Sequence, residues 1–491
     1  MKRPLSSFFA RRARVAKPLR GAAARRARRR RKEAGIALVM VMGAIAILTV
    51  MLAEFQDETS AELAAATGQR DGLQAEYMAK SAVNLARLLI ASEPTLRKAI
   101  APLFMMMKKT PPQLPVWEFS DRLLGAFNDE EASKDFARTA GIDVSLGKNL
   151  GMPGGRWELV IVDEDAKINA NQGAQNIAAQ MRLGREIMGL ISPLQYSTLF
   201  EQRDGSGQFN DRLTVCQAII DWSDPDEQGF NCDIAAMATA QASGIEDAWY
   251  QLLPNKPYRR KNAPYDSLEE LHMVRGISED FWATFVDPEP TNPKKRVMTV
   301  WGTGQVNVNS ANAQTLLGVI CSGAPEADIC TNADQAATFL AGVTMARGVT
   351  MGAPLFGSTK DFINAMQGKG QLGPLLATLG MKPVAFKSPK DFENSITTES
   401  KVFSIYAVGI KKGYRRETRV SIHAVADFRN APQLGATPTT GTQQQGTQQQ
   451  PGTQQQGTTQ QSTTTTSSSQ DAITAAMQPS TGGQIVYYRV E

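Results

Sequence analysis

Eighteen residues without a charge, Ile36 to Ala53, come after the basic run Arg25-Arg26-Ala27-Arg28-Arg29-Arg30-Arg31-Lys32, with only Glu33, Ala34 and Gly35 between. As a helix such a segment rises about 1.5 Å per residue and reaches roughly 27 Å, close to the thickness of a bilayer core. The basic side is then expected in the cytoplasm and everything after Glu54 across the membrane. Three readings fit this arrangement. A secretory signal would have a shorter apolar core and a small-x-small cleavage site after it. A simple anchor would keep its basic flank. A leader cut before the apolar segment, between Gly35 and Ile36, would explain why the basic stretch ends in glycine.

The stretch beyond Ala53 bears on that choice. From Glu54 to Ser92 there is no proline and helix formers dominate. Leu63, Thr67, Leu73, Tyr77, Val83, Leu85, Leu88 and Leu89 recur at helical spacing and predict one apolar face. Pro94 is expected to stop the helix. A membrane helix that runs on this far into a soluble body is unusual for a plain anchor.

Charge and motifs narrow the function. Residues 1–34 hold fourteen Lys and Arg against Glu33 alone, so the remaining 39 bases and 47 acids make an acidic body, net −8. The overall charge of +5 therefore does not signal a nucleic-acid binder. His272 and His423 are the only histidines, and GxSxG, HExxH, Walker-loop and CxxC motifs are absent. A membrane-anchored periplasmic hydrolase thus lacks its catalytic constellation, and the chain is read as no enzyme.

The basic leader ending in Gly35, the apolar start at Ile36 and the long helix resemble type IV pilins and type II secretion pseudopilins. These usually carry Glu at the fifth residue after the cut, where this chain has Met40. Absence of that Glu marks the K-type minor pseudopilins. A buried carboxylate is tolerable only beside a partner charge, such as a neighbouring subunit's terminal amine. A subunit at a filament tip has no neighbour above it, so an apolar residue costs less there.

Further segments resemble the K type from Gly35 to Asp427. They are Val162-Asp163-Glu164-Asp165-Ala166-Lys167-Ile168-Asn169, Asp221-Trp222-Ser223-Asp224-Pro225-Asp226-Glu227 and Glu246-Asp247-Ala248-Trp249-Tyr250. Pro257 to Pro264, Asp266 to Leu271 with Val274-Arg275-Gly276, and Gln305 to Ala311 complete the series. The family's Gly-Ala before Glu-Asp is Gly244-Ile245 here.

The expected fold is α+β: a pilin-like long N-terminal helix on an antiparallel sheet, with an inserted, mostly helical domain. Its parts are a leader at 1–35, the long helix at 36–93 and the first part of the sheet domain at 94–212. The helical domain comes next at 213–395, then C-terminal strands at 396–432, a low-complexity loop at 433–482 and a terminal strand at 483–491. From the residues themselves, 213–390 reads as short helices, with a capping box at Ser267 and Glu270 and another helix start at Ser310. Asp266–Ile277 looks like half of a helix-hairpin-helix, whose plainer reading is a packing unit. Val420, Ile422, Ala424 and Ala426 alternate with Arg419, Ser421, His423 and Val425 as a half-buried strand. Val402–Ile410 is its neighbour across a turn at Gly413. The Gln/Thr/Ser tract is too polar to order itself. Ile485–Val490 reads either as a strand or as the end of a tail.

Cys216, Cys232, Cys321 and Cys330 pair most simply as two local loops, although three connectivities and free thiols stay open. The acids Asp221, Asp224, Asp226, Glu227, Glu246 and Asp247 offer oxygen ligands of the kind calcium takes, without EF-hand spacing. Acidic loops of this kind are also often just solvated. The resemblance implies calcium in the helical domain.

The resemblance also implies a function. The chain would be a minor pseudopilin at the tip of the type II secretion pseudopilus, cut at Gly35–Ile36 by a prepilin peptidase and N-methylated. It would start assembly with I-type and J-type minor pseudopilins and the major pseudopilin, for export of folded proteins across the outer membrane. It would sit in the bacterial inner membrane as a single span, N-terminus cytoplasmic and body periplasmic, with no nucleic-acid partner. The alternative is a minor pilin of a DNA-uptake or type IV pilus filament, which needs an exposed basic patch near Arg259, Arg260 and Lys261.

Overall fold

Small side chains decide how the long helix meets the sheet. The computed structural model describes residues 22–106, 110–128, 130–140, 149–201, 203, 209–233, 248–253, 257–350, 352–370, 372–413, 416–434 and 480–491. Two compact units divide the chain, Met1–Asp71 and Gly72–Glu491. Helix α1, Ala22–Met106, contributes its first part to one and the remainder to the other. The strands in chain order are β1 (Gly155–Asp163), β2 (Ile168–Asn169), β3 (Met298–Thr299), β4 (Val306–Asn307), β5 (Ile396–Thr397), β6 (Val402–Lys412), β7 (Glu417–Asp427) and β8 (Gln484–Val490).

In the first unit the apolar residues from Ile36 to Leu52 are exposed along α1, none of them packed against protein. In the second, β1, β6, β7 and β8 form one antiparallel sheet in that order. One face of the sheet packs on α1 from Ala75 onward. Met78, Ala79, Ala82, Val83, Ala86 and Ile90 recur at three and four residues and meet alternate residues of the strands. The strands contribute Trp157, Leu159 and Ile161, then Phe403, Ile405 and Ala407, then Ile422, Ala424 and Ala426. The expected α+β architecture is therefore what forms, with the long helix on an antiparallel sheet and an added helical region.

The buried face is only partly the expected one. Val83 is buried and Leu85 and Leu89 pack against the same core, but Leu63, Leu73, Tyr77 and Leu88 are exposed, because the contact selects the alanine stripe for closeness of approach. At the nearest point a Cβ on Gly409 would lie 1.8 Å from the Ala75 carbonyl oxygen, so only glycine leaves room for the helix backbone.

The helix also runs through Pro94 and Pro102 instead of stopping. Ion pairs brace both sides of Pro94. Arg97 binds the buried Glu93 through two bonds of 2.9 Å and Glu399 at 2.5 Å, and Glu93 accepts the Leu114 N–H at 2.9 Å. Further back, Arg87 donates to the carbonyls of Gly482 and Gly483, at 2.8 and 2.9 Å, fixing the entry to β8.

A second core begins near Ala166, well before residue 213, and extends to Ile396. The helix Ile177–Ile191 belongs to it, since Leu183, Ile187, Leu190 and Ile191 are buried against the helices Arg212–Ser223 and Ala313–Gly323. A Cβ on Gly189 would lie 2.2 Å from the Gly318 carbonyl oxygen, so two of these helices cross almost backbone to backbone. Two-residue parallel ladders, β2 with β3 and β4 with β5, tie this region together.

Two local expectations change. Asn312, not Ser310, caps the helix Ala313–Gly323, because its side chain accepts the Thr315 N–H at 2.8 Å. Leu268–Met273 is a 3-10 helix carrying the Ser267–Glu270 capping box, too short for half of a helix-hairpin-helix. Most of the low-complexity tract lies outside the described residues.

The close approach at Gly409 is open to a direct test. Gly409→Ala is expected to cost about 1–3 kcal/mol through overpacking, read as a lower midpoint in denaturant unfolding of the full chain. Gly348→Ala, at a helical position with nothing within 4 Å, should be neutral or stabilising by up to about 1 kcal/mol. Equal midpoints for the two variants would contradict the packing argument.

Candidate functional site

Gly35 and Ile36 lie within α1 at the start of the exposed apolar run, and nothing approaches the position of a Gly35 Cβ within 4 Å. Ile36 is 60% and Met40 64% exposed. The helix here is long and apolar enough to cross a membrane. A glycine in a helix interior weakens it by about 1 kcal/mol against alanine, so Gly35, like Gly43, lowers helix stability locally.

The acidic loop is threaded by internal hydrogen bonds. Asp221, in the last turn of Arg212–Ser223, is buried and accepts the Phe230 N–H at 2.8 Å. Burial pushes its carboxyl up to about 7. Asp224 caps the helix C-terminus, accepting from Gln180 Nε2 at 2.9 Å and from the Asp226 N–H at 3.2 Å. Its carboxyl is also raised by burial. Asp226 accepts the Gln228 N–H at 2.7 Å, and Glu227 is exposed. The guanidinium of buried Arg260 donates to the carbonyls of Asp221 and Asp226 at 2.6 and 2.8 Å, so a cation already engages this backbone. No three His, Cys, Asp or Glu side chains gather as metal ligands among the described residues. Glu246 and Asp247 lie outside the described residues.

The basic cluster is engaged as well. Lys261 pairs with Asp266 at 2.6 Å and Glu270 at 3.0 Å, leaving Arg259 as its exposed member. Both disulfides join neighbouring segments of the second core. Cys216 bonds Cys232 with Cα atoms 6.1 Å apart, and Cys321 bonds Cys330 at 5.7 Å. His272 stacks on Trp282 at 3.9 Å and His423 on Tyr406 at 4.2 Å. The imidazole of His423 is pushed down to about 4, chiefly by burial.

The densest polar construction is one whose burial the sequence does not reveal. Asp163, Glu164, Asp165 and Lys167, at the end of β1, are all buried. Asp165 accepts the N–H groups of Thr303, Lys401 and Val402 at 2.6, 2.7 and 3.1 Å. Asp163 accepts the hydroxyl of Ser400 at 2.5 Å and that of Ser310. Glu164 accepts from Lys167 Nζ at 3.0 Å and Thr299 Oγ1 at 2.5 Å. These bonds latch residues 299–310 and 400–402 onto the end of β1.

Burial, helped by the charge of Asp165, raises the Asp163 carboxyl from 3.8 to about 7. Because this folded-state value lies above the unfolded one, the native state takes up a proton. The resulting stability is complete below about pH 4 and is lost as pH rises through about 7. Asp163→Asn removes that linkage while keeping an acceptor for the hydroxyls. Its unfolding free energy should fall less between pH 4 and 7 than the wild type's, by up to about 1.4 kcal/mol per pH unit. Parallel pH profiles from urea titrations would contradict this assignment.

No protein-family model and no curated protein matches the sequence. Among solved structures, the chain is similar to one in the crystal structure of the GspK-GspI-GspJ complex from the enterotoxigenic Escherichia coli type 2 secretion system. That similarity has 14% identity and a TM-score of 0.37, over 75% of this chain and 94% of the other.

Proposed function

We propose that this chain is a K-type minor pseudopilin, acting at the tip of a type II secretion pseudopilus and starting its assembly. The observation that carries the reading is the division of labour along α1. Its apolar run from Ile36 to Leu52 is wholly exposed and begins directly after a basic leader ending in Gly35, whereas the residues from Ala75 onward hold a sheet.

An exposed run of this length needs a bilayer or other helices around it. A prepilin peptidase would cut before Ile36, after which Ile36–Ala53 would serve first as a membrane anchor and then as a filament-packing surface. Met40 in place of Glu suits a subunit with no neighbour above it. The body would lie in the periplasm, where two disulfides are stable. Its role is structural and non-catalytic, and no step in it depends on calcium.

A DNA-uptake pilin is the weaker reading, because Arg260 and Lys261 are committed to internal partners. The proposal implies its partners: I-type and J-type minor pseudopilins first, then the major pseudopilin. Coexpressed with a prepilin peptidase and both minor partners, and extracted in detergent, the full chain should elute with the two as one complex. A Gly35→Arg variant, blocked in processing, should elute without them. Elution of the wild-type chain free of both partners would overturn the proposal.

A further inference from the structure

Two hydrogen-bond donors without acceptors border one cavity. It measures about 280 Å³ and lies among residues 113–118, 292–295, 307–312 and the helix Ala333–Thr350. Trp117 lines it, is 1% exposed, and has an indole N–H with no acceptor. Arg347 lines it too. Among the described residues its guanidinium makes no hydrogen bond or ion pair, and Glu118 supplies its single attraction. Arg347 is half-buried, and burial pulls its guanidinium down to about 10, as expected for a partly desolvated cation without a counter-ion in contact.

Most neighbouring polar groups are occupied, the exposed Lys295 ammonium being without a partner among the described residues. Lys294 pairs with Glu118 at 2.9 Å, Asn309 holds the backbone of Leu355 and Phe356, and Asn312 holds Lys295 and Arg296. Ser310 donates to Asp163. Within this wall, Arg347 and Trp117 each lack an acceptor among the described residues.

We propose that the cavity is a binding site for a small monocarboxylate, with Arg347 as its counter-ion and the Trp117 N–H as a second donor. A guanidinium presents two parallel N–H groups that match a carboxylate. Phosphate is the poorer match, since Glu118 in the same wall repels a dianion more strongly than a monoanion, while Lys295 draws either. The volume suits a ligand of a few carbon atoms, below the usual range for larger molecules. This site is independent of the filament reading.

The test is thermal unfolding of the full chain in detergent with increasing sodium propionate, inorganic phosphate or chloride at matched ionic strength. Propionate should raise the midpoint saturably, on the order of 2–4 °C, with phosphate and chloride giving less. Arg347→Met should abolish the propionate shift without lowering the ligand-free midpoint, because it removes a half-buried charge that has no counter-ion in contact. Arg347→Lys keeps the charge but not the fork, and should weaken binding at least about tenfold. Trp117→Phe should weaken it by a smaller factor. No saturable propionate shift in the wild type, an undiminished shift in Arg347→Lys, or an equal shift with phosphate would each overturn the proposal.

Discussion

The contact between the alanine stripe of α1 and the sheet is the constraint on which the rest of the body depends. A helix lying this close to strands can present only small side chains at its nearest points, and at Gly409 the strand itself gives up its side chain. In return, Trp157, Ile161, Phe403, Ile405 and Ile422 fill the space on either side of the alanines. Burying such side chains contributes about 1.5–3 kcal/mol each, which makes this face the main support of the four-stranded sheet. β8 depends on the same helix through Arg87, which holds the backbone where the strand begins.

A second constraint comes from polarity. The chain leaves the sheet at Asp163, builds a large helical region and returns at Val402, so two distant stretches must meet at one sheet end. Apolar packing is non-directional and would not set this register. The carboxylates of Asp163, Glu164 and Asp165 do so, by accepting from named backbone and hydroxyl donors. Their burial carries a desolvation cost that is offset only when nearly every oxygen has a donor.

Much of this architecture is legible in the residues. A charge-free segment continued by a proline-free stretch announces one long helix, and period-two alternation from Val420 to Ala426 announces a strand. The buried face of the helix is harder to read, because leucine and tyrosine weigh more than alanine in any hydrophobic pattern. What decides the face is how closely the helix can approach, a property of the partner strand. Pro94 misleads for a related reason: the ion pairs that carry the helix past it come from Arg97 and Glu399, far apart in sequence. Acids in a turn look solvated until the tertiary structure delivers their donors, so Asp163 to Asp165 are visible as a pattern but not as a latch. Arg347 gives no signal at all in sequence, since a helical arginine is ordinarily exposed. In the acidic loop the carboxylates are visible in sequence, but the donors that Asp221 and Asp224 meet and the two carbonyls that Arg260 holds are not.

Everything proposed for the filament rests on α1 gaining a mature N-terminus at Ile36, so that one apolar run serves both as anchor and as packing surface. Mass spectrometry of the N-terminus, on protein extracted from native membranes, tests this without intermediaries. The expected product is a chain that begins at Ile36 and carries an N-methyl group. A chain that still carries Arg25 to Lys32 would contradict the filament role and leave a single-span anchored protein.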